Sequence, residues 1–157
     1  MKTRIAIIRI KGNVNLKQEI KDTFQMLKLY RKNSCVVIPN TPSMMGMLLK
    51  VKDFVTWGEI NKETFKELLL KRGRLPGKNK LTEDYLKEKL NMSVDDFVDA
   101  YFDFKKELRD IPGLKLFFKL SPPVNGFESK GTKKPFSLGG ALGYRKDKIN
   151  DLIKRMV

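Results

Sequence analysis

Lys130, Lys133, Lys134, Arg145 and Lys146 fall within one stretch, Val124 to Lys146, that also holds Gly126, Gly131, Gly139, Gly140 and Gly143. Ammonium and guanidinium groups on a glycine-rich backbone do one kind of chemistry well: they neutralise phosphate oxygens and release condensed counterions. Phe127, Phe136 and Tyr144 in the same stretch offer faces on which an unpaired base can stack. A structureless segment of this length is usually functional or disordered, the alternative being a solvated linker. A second cluster, Lys71, Arg72, Arg74, Lys78 and Lys80, surrounds the turn residues Pro76 and Gly77. Cations on turns reach phosphate oxygens readily, although Lys and Arg also favour the last turn of any helix. Arg9, Lys11, Arg31, Lys50 and Lys52 complete the candidate set, at the ends or exposed faces of the first strands and helices.

Catalytic chemistry has little to stand on. The chain has no His and a single Cys, so Ser-His and Cys-His arrangements are excluded. Cys35 lies in an apolar run and reads as a small buried hydrophobe. Asp95, Asp99, Asp103 and Glu107 recur four residues apart and could share a metal or act as an acid/base pair. Opposite an aromatic stripe they read more simply as a solvated ladder, or one paired with lysines, turned away from any polyanion. Gly73 to Asn79 and Gly126 to Lys133 approach a phosphate-binding loop but lack its spacing or its lysine and hydroxyl residues. No cofactor, metal or small-molecule substrate is expected.

With 33 Lys and Arg against 18 Asp and Glu, the net charge of +15 exceeds what solubility needs, and nucleic acid or an anionic membrane surface are the physical candidates. No apolar run approaches the roughly 20 residues that span a bilayer. Met1 to Arg4 leads straight into a strand-like segment rather than a signal sequence, so a cytoplasmic location is expected.

The elements that must position these groups follow from periodicity. Ile5, Ile7, Ile8 and Ile10 form a first strand closed by Gly12 and Asn13. Asn15 as N-cap, with Gln18 three residues on, starts a helix running through Leu29. Ser34 to Pro39 makes a second strand, and Thr41-Pro42 starts a helix to about Lys50. Phe54, Val55 and Trp57 make a third strand ending at Gly58. Residues 1–60 therefore read as a β-α-β-α-β core of α+β class, a small sheet covered by two helices, ferredoxin-like in character. Residues 61–113 read as a helical segment, with caps at Asn61, Thr82 and Ser93, the last helix carrying Phe97, Tyr101, Phe104 and Leu108. Residues 114–157 begin with a strand in which Leu114, Leu116, Phe118 and Leu120 alternate with Lys115, Phe117 and Lys119. The basic loop follows, and a C-terminal helix bearing Ile149, Leu152, Ile153 and Met156 packs with the core.

Several motifs resemble one family in combination: Arg9-Ile10-Lys11-Gly12, Leu27-Lys28-Leu29, Thr41-Pro42 with Gly46-Met47, Trp57-Gly58 and Lys71-Arg72-Gly73. The tail adds Phe118-Lys119-Leu120-Ser121-Pro122-Pro123, Gly139-Gly140, and Gly143 with Arg145, Asp147, Ile149-Asn150, Leu152-Ile153, Arg155 and Met156. Together they resemble the archaeal and eukaryotic form of large-subunit ribosomal protein L-thirty, called L-seven in eukaryotes. The resemblance implies a non-enzymatic constituent of the large ribosomal subunit that binds large-subunit rRNA, with 5S rRNA a further candidate, beside neighbouring ribosomal proteins. The chain starts almost at its first strand, without the basic extension of eukaryotic members, and an archaeal origin fits better. On charge alone, a free RNA chaperone or regulator acting off the ribosome fits equally.

Overall fold

Ile5, Ala6, Ile7 and Ile8 form an unbroken apolar run, the pattern of a strand buried on both faces. In the computed structural model, which describes residues 3–157, Arg4–Arg9 forms β1 and is buried along its whole length. Met1 and Lys2, the start of the lead-in read from sequence, lie outside the described residues. β2 (Ser34–Pro39) and β3 (Val55–Glu59) flank β1, both antiparallel to it, with Ile8 opposite Cys35 and Arg9 opposite Val55. Two short strands extend the edges: β4 (Phe118–Lys119) beside β2 and β5 (Gly143–Tyr144) beside β3, giving the order β4-β2-β1-β3-β5.

One sheet face carries Ile5, Ile7, Val36, Ile38, Val55 and Trp57, packed against Phe24 and Leu27 of the α1 region and Leu48 of α2. These helices are α1 (Gln18–Met26) and α2 (Pro42–Lys50). The α+β class and the β-α-β-α-β core stand as read, but two helices account for only one face. Ala6, Ile8, Cys35 and Val37 point the other way, into a second cluster with Phe65, Leu68, Leu86, Phe97, Tyr101, Leu152 and Ile153. Those residues belong to α3 (Lys62–Arg72), α4 (Glu83–Leu90), α5 (Val94–Phe102) and α6 (Ile149–Met156). The sheet is thus the middle of three layers. Arg4 ties the sheet to the α5 layer at one end: its guanidinium lies 3.9 Å from the Tyr101 ring centroid and pairs with Glu107 at 2.9 Å.

The caps at Thr41, Asn61, Thr82 and Ser93 form as read, each side-chain oxygen accepting a backbone N–H three residues on. α1 departs from its reading. Asn15 has φ of 57° and caps nothing; Lys17 is the N-cap and offers no side-chain acceptor. At its other end Lys28 turns left-handed, Leu29 N–H donates to Phe24 O at 2.9 Å and Lys28 N–H to Gln25 O at 3.1 Å. This double closure ends the helix three residues short of Leu29. α5 stops at Phe102, with Phe104 at φ of 62°, so Asp103 and Glu107 leave the helix on which periodicity places the acidic ladder. The strand expected over Leu114 to Leu120 pairs only at Phe118 and Lys119, yet Leu114, Phe118 and Leu120 are buried while Lys115 and Lys119 are exposed, keeping the alternation.

Candidate nucleic-acid interface

The registers place most of the basic candidates at one end of the sheet. β1 reaches this end at Arg9, with Lys11 just beyond; β2 begins here after Arg31, and β3 begins after exposed Lys50 at the end of α2 and exposed Lys52 in the turn that follows. β4 meets the first residues of β2, Ser34 opposite Lys119, and β5 meets β3 at Thr56 and Trp57. α3 starts at the far end, behind Glu59 and Ile60, and its last turn brings Lys71 and Arg72 back to the basic end.

Here a cleft of about 740 Å³ opens between the start of β2, the β4 segment and the loop after α3. Arg31, Arg72, Arg74, Lys78, Lys115 and Lys119 line it together with Tyr30, Ser34 and Phe117, and no carboxylate is among the lining residues. Backbone pairing builds its walls: Lys115 N–H donates to Arg74 O at 3.0 Å and Leu120 N–H to Asn33 O at 3.0 Å. Arg72 donates to Ser121 Oγ at 2.9 Å and Lys119 O at 3.3 Å, and Arg74 to Gly73 O at 3.1 Å. Neutral oxygens hold both guanidiniums in place without cancelling their charge. Lys115 and Lys119 lie outside the candidate set read from the sequence; their outward register, opposite Leu114 and Phe118, is the signal that finds them. Lys71 stands outside the cleft lining, paired with Glu67 at 2.8 Å.

The glycine-rich stretch is neither structureless nor a solvated linker: it is held by its own contacts and adds residues to the core. Ala141 and Leu142 are buried with Ile10. Phe136 N–H donates to Leu142 O at 2.6 Å, and Ala141 N–H to Gly131 O at 3.1 Å. Lys130, Lys133, Lys134 and Lys146 are exposed, and Thr132 faces Lys11, Gly12 and Lys32 across a shallow hollow. Of the stacking candidates, Phe136 lies under the Arg145 guanidinium at 4.9 Å and Phe127 packs into the core. Tyr144 is partly exposed, and its hydroxyl donates to Glu59, which with burial pushes the phenol up to about 12.

Two candidates do not reach the surface. Arg9 is 1% exposed; it donates to Leu29 O at 2.7 Å, to Lys11 O at 2.9 Å and to Asn13, and lies 3.9 Å from the Phe24 ring centroid. Burial lowers its pKa from the ordinary arginine value. Arg145 is 2% exposed and donates to both Glu128 oxygens at 2.6 and 3.2 Å, to Thr56 Oγ1 at 2.8 Å and to Ala141 O at 2.8 Å. Both position backbone for other groups, because guanidinium donors aimed at several carbonyls are satisfied inside the protein.

The acidic ladder lies elsewhere. Asp95 pairs with Lys66 at 2.6 Å and Asp99 with Lys62 at 3.0 Å, toward the start of α3. Among the described residues no group of three or more His, Cys, Asp and Glu could hold a metal, and no helix is long and apolar enough to cross a membrane. Cys35 is buried, which pushes its thiol up to about 12.

The family model described as Ribosomal protein L30p/L7e matches residues 5–55. The large ribosomal subunit protein uL30 of Methanopyrus kandleri is 51% identical over 149 residues, 94% of this chain and 100% of the relative. The chain belongs to the uL30 family. The uL30 proteins of Methanococcus maripaludis and Nanoarchaeum equitans are 46% and 47% identical, each over 97% of this chain and over 98% and 97% of their own lengths. This is a family of ribosomal proteins rather than of enzymes. The family model spans β1 to the start of β3 and includes Tyr30 and Arg31, whereas Arg72, Arg74, Lys115 and Lys119 lie in the part that only the full-length uL30 relatives share.

Proposed function

We propose that this chain is a structural constituent of the large ribosomal subunit in the cytoplasm, and that its basic end binds large-subunit rRNA. The observation that carries the reading is the cleft whose six cations face no carboxylate. Unpaired like charges brought together on a folded surface repel one another, and a polyanion relieves that cost while counterion release adds affinity. Lys11, Arg31, Lys50, Lys52, Lys71, Arg72, Arg74, Lys78, Lys130, Lys133, Lys134 and Lys146 supply the contacts, with Arg9 and Arg145 holding backbone beneath them. Irregular RNA suits this surface better than a duplex major groove, because the cations come from loops, strand ends and one helix end rather than from a single inserted helix.

After lysis and sucrose-gradient sedimentation, the protein is expected with the large subunit, retained through a moderate salt wash. A chaperone or regulator acting off the ribosome would stay at the top of the gradient and bind unrelated RNAs with similar affinity. In competition at fixed salt, large-subunit rRNA should displace a labelled rRNA fragment better than transfer RNA does. 5S rRNA run as a separate competitor tests whether it is a second ligand.

A further inference from the structure

Tyr30 is 45% exposed in the basic cleft, where Phe117 meets it edge to face with ring centroids 5.4 Å apart. Phe117 is partly buried against the first core cluster, so this contact fixes the Tyr30 ring. Among the described residues the Tyr30 hydroxyl has no hydrogen-bond partner, and about half of the side chain stays open to a ligand in the cleft. Around it stand Arg31, Arg72, Arg74, Lys115 and Lys119. An RNA duplex presents phosphates and sugars to such a surface but keeps its base faces stacked inside, so a fixed aromatic among cations finds nothing to cover it. An unpaired nucleotide offers both surfaces at once, a π-face for the ring and phosphate oxygens for the guanidiniums. The volume, about 740 Å³, lies within the range of roughly 300–1,000 Å³ that encloses small organic groups.

We infer that this cleft seats an unpaired nucleotide of the rRNA, its base on Tyr30 and its flanking phosphates on Arg31, Arg72 and Arg74. The inference rests on the rRNA-binding reading above and adds that the target is a bulge, loop or extruded base. Arg72 and Arg74 are held by neutral oxygens and so keep their charge and position for the phosphates, while Lys78, Lys115 and Lys119 close the rim.

The test uses the full chain and a full-length archaeal large-subunit rRNA transcript. Tyr30→Leu, which keeps apolar volume and every charge, is expected to weaken binding about tenfold with no change in salt slope, since it removes stacking and leaves the phosphate contacts in place. Tyr30→Phe should bind like the parent. Ultraviolet crosslinking followed by mass spectrometry should find a nucleotide on the peptide containing Tyr30 or Phe117. An unchanged affinity for Tyr30→Leu, with crosslinks only elsewhere, overturns the inference and leaves rRNA binding intact. Unchanged affinity together with suppression of the cleft crosslinks by polyglutamate, but not by single-stranded RNA, overturns it in favour of an acidic protein segment. If the parent chain shows no preference for large-subunit rRNA over transfer RNA, the broader reading fails and takes this one with it. The urea midpoint of Tyr30→Leu, compared with the parent's, excludes unfolding as the cause of lost affinity.

Discussion

At Arg145 a single side chain ties two parts of the glycine-rich stretch to the sheet: Glu128 near its start, the Ala141 carbonyl before β5, and Thr56 on β3. Its removal strands a carboxylate that is only 20% exposed and frees two further acceptors. Arg145→Ala should therefore cost about 3 kcal/mol, read as a lower urea midpoint with unchanged slope, whereas Lys133→Ala on the exposed turn should stay within about 0.5 kcal/mol. Equal, small effects would mean that the Arg145 guanidinium is free for RNA. Arg9 and Arg145 illustrate what residue types alone hide. Arginine is read as surface charge, but its planar fork can be satisfied by carbonyls and side-chain oxygens, and beside their near neighbours these two reach Leu29, Glu128 and Thr56, which lie 20, 17 and 89 positions away, beyond any local pattern. Lys115 and Lys119 are the reverse case, since the period-two alternation of their segment is enough to mark them as outward-facing.

Elements were legible where the rule is local. Each side-chain cap at Thr41, Asn61, Thr82 and Ser93 lies within three residues of the N–H it accepts, and each forms. Ends set by distant packing were harder to read, and Gly58 shows why. Glycine after Trp57 suggests the end of a strand, yet Gly58 lies inside β3 opposite Ala6. A Cβ there would stand 1.9 Å from the Lys146 carbonyl oxygen and 3.0 Å from the Ile149 Cβ. The missing side chain lets the tail cross the sheet at contact distance and start α6, a reason that only the tertiary approach reveals. Gly58→Ala should force the Lys146 turn outward at a cost of about 2 kcal/mol, which for a chain of this size lowers Tm by about 4–8 °C. Gly12→Ala, where an added Cβ meets nothing within 4 Å, is the control and should unfold within a degree or two of the parent.

On the scale of the whole molecule, the net charge of +15 matters less than its placement. Strand order and register bring the ends of β1, β2 and β3, the β4 segment and the glycine-rich tail to one end of the sheet. Four inter-strand steps make that end about 19 Å wide, roughly two Debye lengths at 0.1 M salt, so cations at its two edges act on different phosphates. The lysines paired to Asp95 and Asp99 lie toward the start of α3, with their charge already matched. Replacing Lys130, Lys133 and Lys134 by Ala should lower the slope of log K against log salt by up to about 0.9 for each phosphate released if the target is duplex-like, or about 0.7 if single-stranded. Arg31, Lys115 and Lys119 replaced together should do the same, and the two triple changes should add, because the sites share no phosphate. Lys62→Ala with Lys66→Ala removes two charges but should leave the slope at its parent value. If that pair lowers the slope as much per charge as either triple, then total charge governs binding and the basic end of the sheet is not where the RNA lies.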